Sequence, residues 1–245
     1  MINNGIVFSD VDGTLIEKDS KIVRRNIDSF KSLRCENIRT VIASGRTIES
    51  LKAFSEENEL DLDYWIGLNG AIIVDRNFRK IFEKSIELES IYLVDRVLKK
   101  FLKNSTFTYC TKNGESILFN HNESIKTPIY SMNICVESYN PEYRLLIKRE
   151  LESALKGLAN IFINQGYIDI SPSEISKGNG INFIRKLYSD KVKVFSIGDS
   201  WNDVSMFQNS DVSATFKKSD QELKETCDYV VEHFYQFTKI IKENI

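Results

Sequence analysis

The sequence predicts an α/β protein whose parallel, helix-covered sheet is interrupted by an inserted α+β domain. Three observations carry that expectation. Short apolar strands alternate with amphipathic helices at both ends of the chain, the middle changes to hairpin-like strands, and acidic or hydroxyl-rich turns follow directly on the apolar strands.

Ile6-Val7-Phe8 forms the first strand, followed by a helix to about Leu33, a strand at 40–43 and a helix with Ile48, Leu51 and Phe54 on one face. A helix carrying Ile91, Val94, Leu98 and Phe101 at 3-4-3 spacing opens the middle. Strands at 106–109 and 116–119 are joined across Asn113-Gly114, a strong hairpin signal. A strand at 132–136 leads to Asn140-Pro141, a helix cap with proline at the first helical position. The helix then carries Leu151, Leu155 and Leu158, and 161–163 is another strand. From about Gly166 the first pattern returns, with a strand at 167–170, a helix bearing Ile181, Ile184 and Leu187, and a strand at 192–197. The expected division is therefore a core of residues 1–79 and 167–245 around an insertion of 80–166 with αββαββ order.

Composition narrows the function classes. A formal net charge of -2 gives no basic surface for nucleic acid, so an anion has to be held by a local site. No stretch approaches the ~20 apolar residues of a membrane span, and Met1-Ile2-Asn3-Asn4-Gly5 has no signal-peptide character. A cytoplasmic protein without a membrane or nucleic-acid partner is expected, and nothing in the sequence sets its oligomeric state. The four cysteines show no C-x-x-C spacing, which argues against zinc or a disulfide framework and for buried thiols.

The chemistry is concentrated in four short stretches. Ser9-Asp10-Val11-Asp12-Gly13-Thr14 puts two carboxylates beyond a strand end, where open α/β sheets bind ligands. A calcium loop counted from Asp10 would need glycine at Leu15 and glutamate at Lys21, so that reading fails. Carboxylates one residue apart in an extended segment face opposite ways, so one can attack while the other transfers protons. Ser44-Gly45-Arg46 joins a strand to a helix and suits a phosphate through its hydroxyl and amides, although a serine N-cap alone is common. Lys177-Gly178 opens a helix and can neutralise a phosphoryl group, whereas a lone lysine is ordinarily just solvated. Gly198-Asp199-Ser200-Trp201-Asn202-Asp203 offers hard oxygen ligands after a strand, or a capped helix start.

Taken in this order, the D-x-D-G-T, S-G-R, lysine and G-D-x-x-N-D series resembles the haloacid dehalogenase superfamily. It is most similar to the Cof-type phosphatases with a type IIB cap, relatives of sucrose-phosphatase and phosphomannomutase; Leu68-Asn69-Gly70-Ala71 also resembles the step before their cap. The resemblance implies a Rossmann-like core and a Mg²⁺-dependent phosphatase acting on a small phosphorylated metabolite. It implies Asp10 as nucleophile and metal ligand, Asp12 as acid/base with its carbonyl on the metal, and Asp199 as the further ligand. Thr14, Ser44, Gly45, Arg46, Lys177 and Asn202 would bind phosphate, with Asp203 in support. The segment 212–218 departs from the family's usual loop, and the insertion is expected to close over the site and carry specificity. A phosphomutase is the alternative; a receiver domain or a silent sensor is disfavoured by the D-x-D pair and the large insertion.

Overall fold

A computed structural model describes residues 5–16, 23–101, 105–111, 116–118, 128–136, 141–164, 167–188 and 192–245. The first segment runs β1 (Gly5–Ser9), α1 (Arg24–Ser32), β2 (Ile38–Ala43), α2 (Ile48–Glu57), β3 (Tyr64–Gly67), β4 (Ile72–Asp75) and β5 (Lys80–Glu83). The next comprises α3 (Leu88–Leu98), β6 (Ser105–Thr111), β7 (Ser116–Leu118), β8 (Ile129–Val136), α4 (Pro141–Leu155), β9 (Ala159–Asn164) and β10 (Tyr167–Pro172). The last contains α5 (Lys177–Arg185), β11 (Lys193–Ile197), α6 (Val204–Phe207), β12 (Val212–Phe216), α7 (Gln221–Lys224), β13 (Tyr229–Val231) and α8 (Phe234–Glu243).

The first and last segments build one eight-stranded sheet in the order β13-β12-β11-β1-β2-β3-β4-β5. From β13 to β3 every pairing is parallel, and β4 returns antiparallel to β3. Every residue of β1 is buried, as expected of a central strand covered on both faces. Ile6 and Phe8 pack with Val41, Ile66, Ile181, Ile184 and Val194 in one core cluster. Phe30 of α1 meets Phe234 of α8 edge to face, with ring centroids 5.6 Å apart.

The inserted segment makes a five-stranded antiparallel sheet, β7-β6-β8-β10-β9. Its core joins Ile91, Val94 and Leu98 of α3 to Ile147, Leu151 and Leu155 of α4 and to Met132, Ile134, Ile168 and Ile170 of the sheet. Three strands separate its helices, at the places of those expected at 106–109, 116–119 and 132–136, so the order is αβββαββ, one strand more than αββαββ.

The division of the chain also differs from the sequence expectation. The units are Met1–Phe82 with Ser176–Ile245, and Glu83–Ile175. Strand β10, expected in the core, pairs with β8 and β9 in the inserted sheet, where Ile168 and Ile170 stand opposite Ile134 and Met132. Its Tyr-Ile-Asp-Ile alternation is the mark of a one-sided antiparallel strand, not of a strand buried on both faces. At the other boundary, β5 is the outermost strand of the eight-stranded sheet. Leu158 and Leu187, read as helix-face residues, lie beyond the ends of α4 and α5 and are exposed. Of the four cysteines only Cys110 is buried, and Cys35 is exposed. The Asn113-Gly114 turn and the Asn140 cap lie outside the described residues. No helix among the described residues is long and apolar enough to cross a membrane.

Candidate active site

Strand order decides where the motif residues meet. β1 lies between β11 and β2, and Ser9 is level with Ile197 on one side and Ile42 on the other. The residues that follow these strands, Asp10, Gly198-Asp199 and Ser44, therefore emerge at the same edge of the sheet. The backbone fixes them there: Asp10 N donates to Ile197 O at 3.1 Å, Ser44 N to Ile66 O at 2.9 Å, and Asn69 N to Ser44 O at 2.9 Å. This is the carboxyl edge beside a change in strand order, where open α/β sheets hold ligands.

Lys177, the first residue of α5, is buried to 1 % exposure and bridges two carboxylates. Its Nζ lies 2.7 Å from Asp10 Oδ1 and 2.6 Å from Asp203 Oδ1. Ser176 caps the helix by accepting from Asn179 N at 3.1 Å, which sets where the lysine leaves the backbone. Asp203 is fully buried, and its other oxygen accepts from Asp199 N at 2.9 Å and Ser200 N at 3.0 Å, so it also holds the turn that presents Asp199.

Among the described residues, Asp10, Asp199 and Asp203 are the group of acidic side chains able to share a cation, with oxygens all within 4.8 Å of one another. Three buried carboxylates are hard donors of the kind Mg²⁺ accepts. Close approach is secured by Gly13, at φ +85°, where a Cβ would lie 2.5 Å from Asp199 Cγ. Burial pushes the Asp10 carboxyl up to about 8; Lys177 opposes this rise, and Asp203 and Asp199 add to it. Burial also works against the Lys177 charge, but Asp10 and Asp203 outweigh it and raise the lysine above its ordinary value.

Asp12 lies outside this carboxylate group. Both its oxygens are taken by Arg46, Nε to Oδ2 at 2.8 Å and Nη2 to Oδ1 at 2.6 Å, a bidentate pair that also raises the arginine's pKa. Of the three metal residues expected from the sequence, Asp10 and Asp199 fall in the acidic group. The third carboxylate there is Asp203, expected only in support; Asp12, expected to meet the metal through its backbone carbonyl, has its side chain held by Arg46. Ser44 Oγ accepts from Arg46 N at 3.3 Å. A Cβ at Gly45 would touch the Asn69 amide at 3.4 Å, and Asn202 Nδ2 reaches Asn69 Oδ1 at 3.2 Å. Thr14 is buried, and its hydroxyl makes no hydrogen bond among the described residues.

Three residues were not singled out as functional from sequence. Asn69, at φ +56°, ties the strand-end turns after β2 and β3 to Asn202. Thr215 Oγ1 donates to Gly198 O at 2.8 Å, and Ser219 Oγ donates to Asp199 O at 3.4 Å. The unusual 212–218 segment thus forms buried β12 and braces the turn carrying Asp199. Asn-Gly directly after an apolar strand was the available signal for Asn69; a buried threonine in a strand gives none.

A buried lysine bridging acidic side chains at the carboxyl edge of a parallel sheet is suited to holding an anionic group beside a carboxylate. The haloacid dehalogenase-like hydrolase family matches the chain over residues 7–236, and the chain belongs to it as a phosphatase-type enzyme. It is 24% identical to the 5-amino-6-(5-phospho-D-ribitylamino)uracil phosphatase YwtE of Bacillus subtilis, covering 90% of each chain. It is 25% identical to phosphoglycolate phosphatase 2 of Saccharolobus solfataricus, over 94% of this chain and 87% of that one. In fold it is similar to the subclass IIB sugar phosphatase BT4131, with a TM-score of 0.79, 19% identity and 98% of both chains covered.

Proposed function

We propose that this protein is a Mg²⁺-dependent phosphatase for small phosphorylated metabolites, working through a phosphorylated aspartate at Asp10. The observation that carries the reading is the buried junction of Asp10, Asp199 and Asp203 with Lys177, far too costly in charge to be kept as mere scaffolding. Asp10 and Asp199, with the Asp12 carbonyl, would hold the cation, and Asp203 keeps Asp199 and Lys177 in place. When bound, Mg²⁺ neutralises phosphate charge and orients the phosphoryl group.

The Asp10 carboxylate attacks phosphorus, the bond to the ester oxygen breaks, and Asp12 gives the departing alkoxide its proton. Water then attacks the aspartyl phosphate, loses a proton to Asp12, and frees phosphate and Asp10. Lys177, the Ser44 hydroxyl and the Gly45 and Arg46 amides stabilise the phosphoryl oxygens, aided by Thr14 and Asn202. Arg46 holds the Asp12 carboxylate before substrate arrives; an incoming phosphate offers Arg46 a second anion and releases Asp12, which takes up a proton from solvent before it acts as the acid.

The named substrates of the relatives have only a phosphate ester in common, so the class is phosphate monoesters of small metabolites, with selectivity in the inserted unit. Hydrolysis is preferred to mutase chemistry because these relatives are phosphatases by name. A cytoplasmic location belongs to the same reading and is checked by cell fractionation. The test is phosphate release from a panel of monoesters after chelator treatment, with and without Mg²⁺. Loss of turnover on chelation, rescue by Mg²⁺ and inactivity of Asp10→Asn are expected. Metal-independent turnover, or an active Asp10→Asn protein, refutes the mechanism.

A further inference from the structure

We propose that the outer face of α3 is a pairing surface for a second copy of this chain. The inner face of this helix is buried through Ile91, Val94 and Leu98, yet its outer face also carries large apolar side chains between its charges. Leu88 is 46% exposed and Tyr92 58%, and with Glu89, Leu93 and Arg96 they line an open groove of about 450 Å³.

The charges on this face identify the occupant. Glu89 and Arg96 stand seven residues apart, about 10 Å along the axis and too far to pair with each other. Neither has an ion-pair partner among the described residues, whereas neighbouring Asp95 is engaged by Lys99 at 2.9 Å. Antiparallel pairing with a second α3 about a two-fold axis between Tyr92 and Leu93 sets Glu89 of each copy opposite Arg96 of the other. The same operation places each Tyr92 against the other Leu93. A single surface is thus complementary to itself, the requirement of a two-fold interface. An 11-residue helix buries little area, so the dimer is weak and its dissociation constant lies in the micromolar range or above.

Sedimentation velocity from micromolar to near-millimolar protein tests this. The wild-type chain is expected to shift from monomer to dimer with concentration, and Tyr92→Glu to stay monomeric. Glu89→Arg and Arg96→Glu should each weaken pairing at least ~10-fold by setting like charges face to face. The double reversal should restore it to within ~3-fold of wild type. Circular dichroism confirms that these surface variants fold. The inference is overturned by a wild-type monomer at every concentration, by a dimer that survives Tyr92→Glu, or by a double reversal as weak as the single ones.

Discussion

Gly178→Ala tests how tightly the position of Lys177 is tied to helix packing. A Cβ at 178 would lie 2.6 Å from the carbonyl carbon of Ser205 and 2.7 Å from Asn209 Nδ2, and closer still to the Ser205 carbonyl oxygen. Ordinary contact begins at 3.4 Å, so α5 and α6, which bears Ser205, have to part by about 1 Å. The added methyl also strains the bond from Gly178 N to Ser205 Oγ, now 3.1 Å. Lys177 is the neighbouring residue, and its bonds of 2.7 and 2.6 Å to Asp10 and Asp203 have no slack for such a shift. Overpacking of this kind costs about 1–3 kcal/mol, and a misplacement of about 1 Å in a catalytic group costs ~100-fold in rate. Turnover of p-nitrophenyl phosphate at saturating Mg²⁺ and denaturant unfolding are the two assays. Gly157→Ala is the control: at φ +86° with nothing within 4 Å of its Cβ, it should lose about 1 kcal/mol to backbone strain and keep its kcat. A Gly178→Ala protein with wild-type kcat and stability would refute the packing argument.

Asp12→Asn should lower kcat at least ~100-fold, the low end of general acid–base catalysis, while changing stability by less than about 1 kcal/mol because its pair with Arg46 is half-exposed. Lys177→Met should destabilise the fold by about 3–5 kcal/mol in urea titrations, since it leaves Asp10 and Asp203 buried without their cation. Folding raises the Asp10 carboxyl from 3.8 to about 8, so its stabilising contribution in the metal-free protein is complete below pH 3.8 and vanishes as pH climbs through 8. In the same window a cation has to displace that proton. Calorimetry in buffers of different ionisation heat should find about one proton released per Mg²⁺ at pH 6 and almost none at pH 9.5. Thr215→Val should remove the bond to Gly198 O, cost about 1 kcal/mol and weaken Mg²⁺ binding, which the same calorimetry reads.

Much of this site was legible because its chemistry sits at strand ends. Ile6-Val7-Phe8, the strand at 40–43 and that at 192–197 announced themselves by apolar runs, and the residues after them, Asp10, Ser44 and Asp199, meet because those strands are neighbours. What stayed hidden was set by long-range pairing. Arg46 was read as a phosphate ligand, and nothing local tells that it reaches back 34 positions to clamp Asp12. The Asp203 carboxylate looked like support, yet one side chain bonds Lys177 and two backbone amides at once. Strand β10 was misassigned because Ile168 and Ile170 satisfy an apolar pattern in either sheet, and only their partners Ile134 and Met132 decide between them.

The pairing of Gly5 with Lys193 has a consequence for biosynthesis. Strand β1 is translated before either of its flanking partners, and one of them, β11, follows only after the whole inserted unit has been made. Residues 83–175 are contiguous and complete their own sheet earlier, so nascent chains should acquire protease resistance there first. Asp10 and Asp199 come together only once β11 has been made, and a ribosome stalled before β11 would carry a finished insertion and an open, aggregation-prone edge on β1.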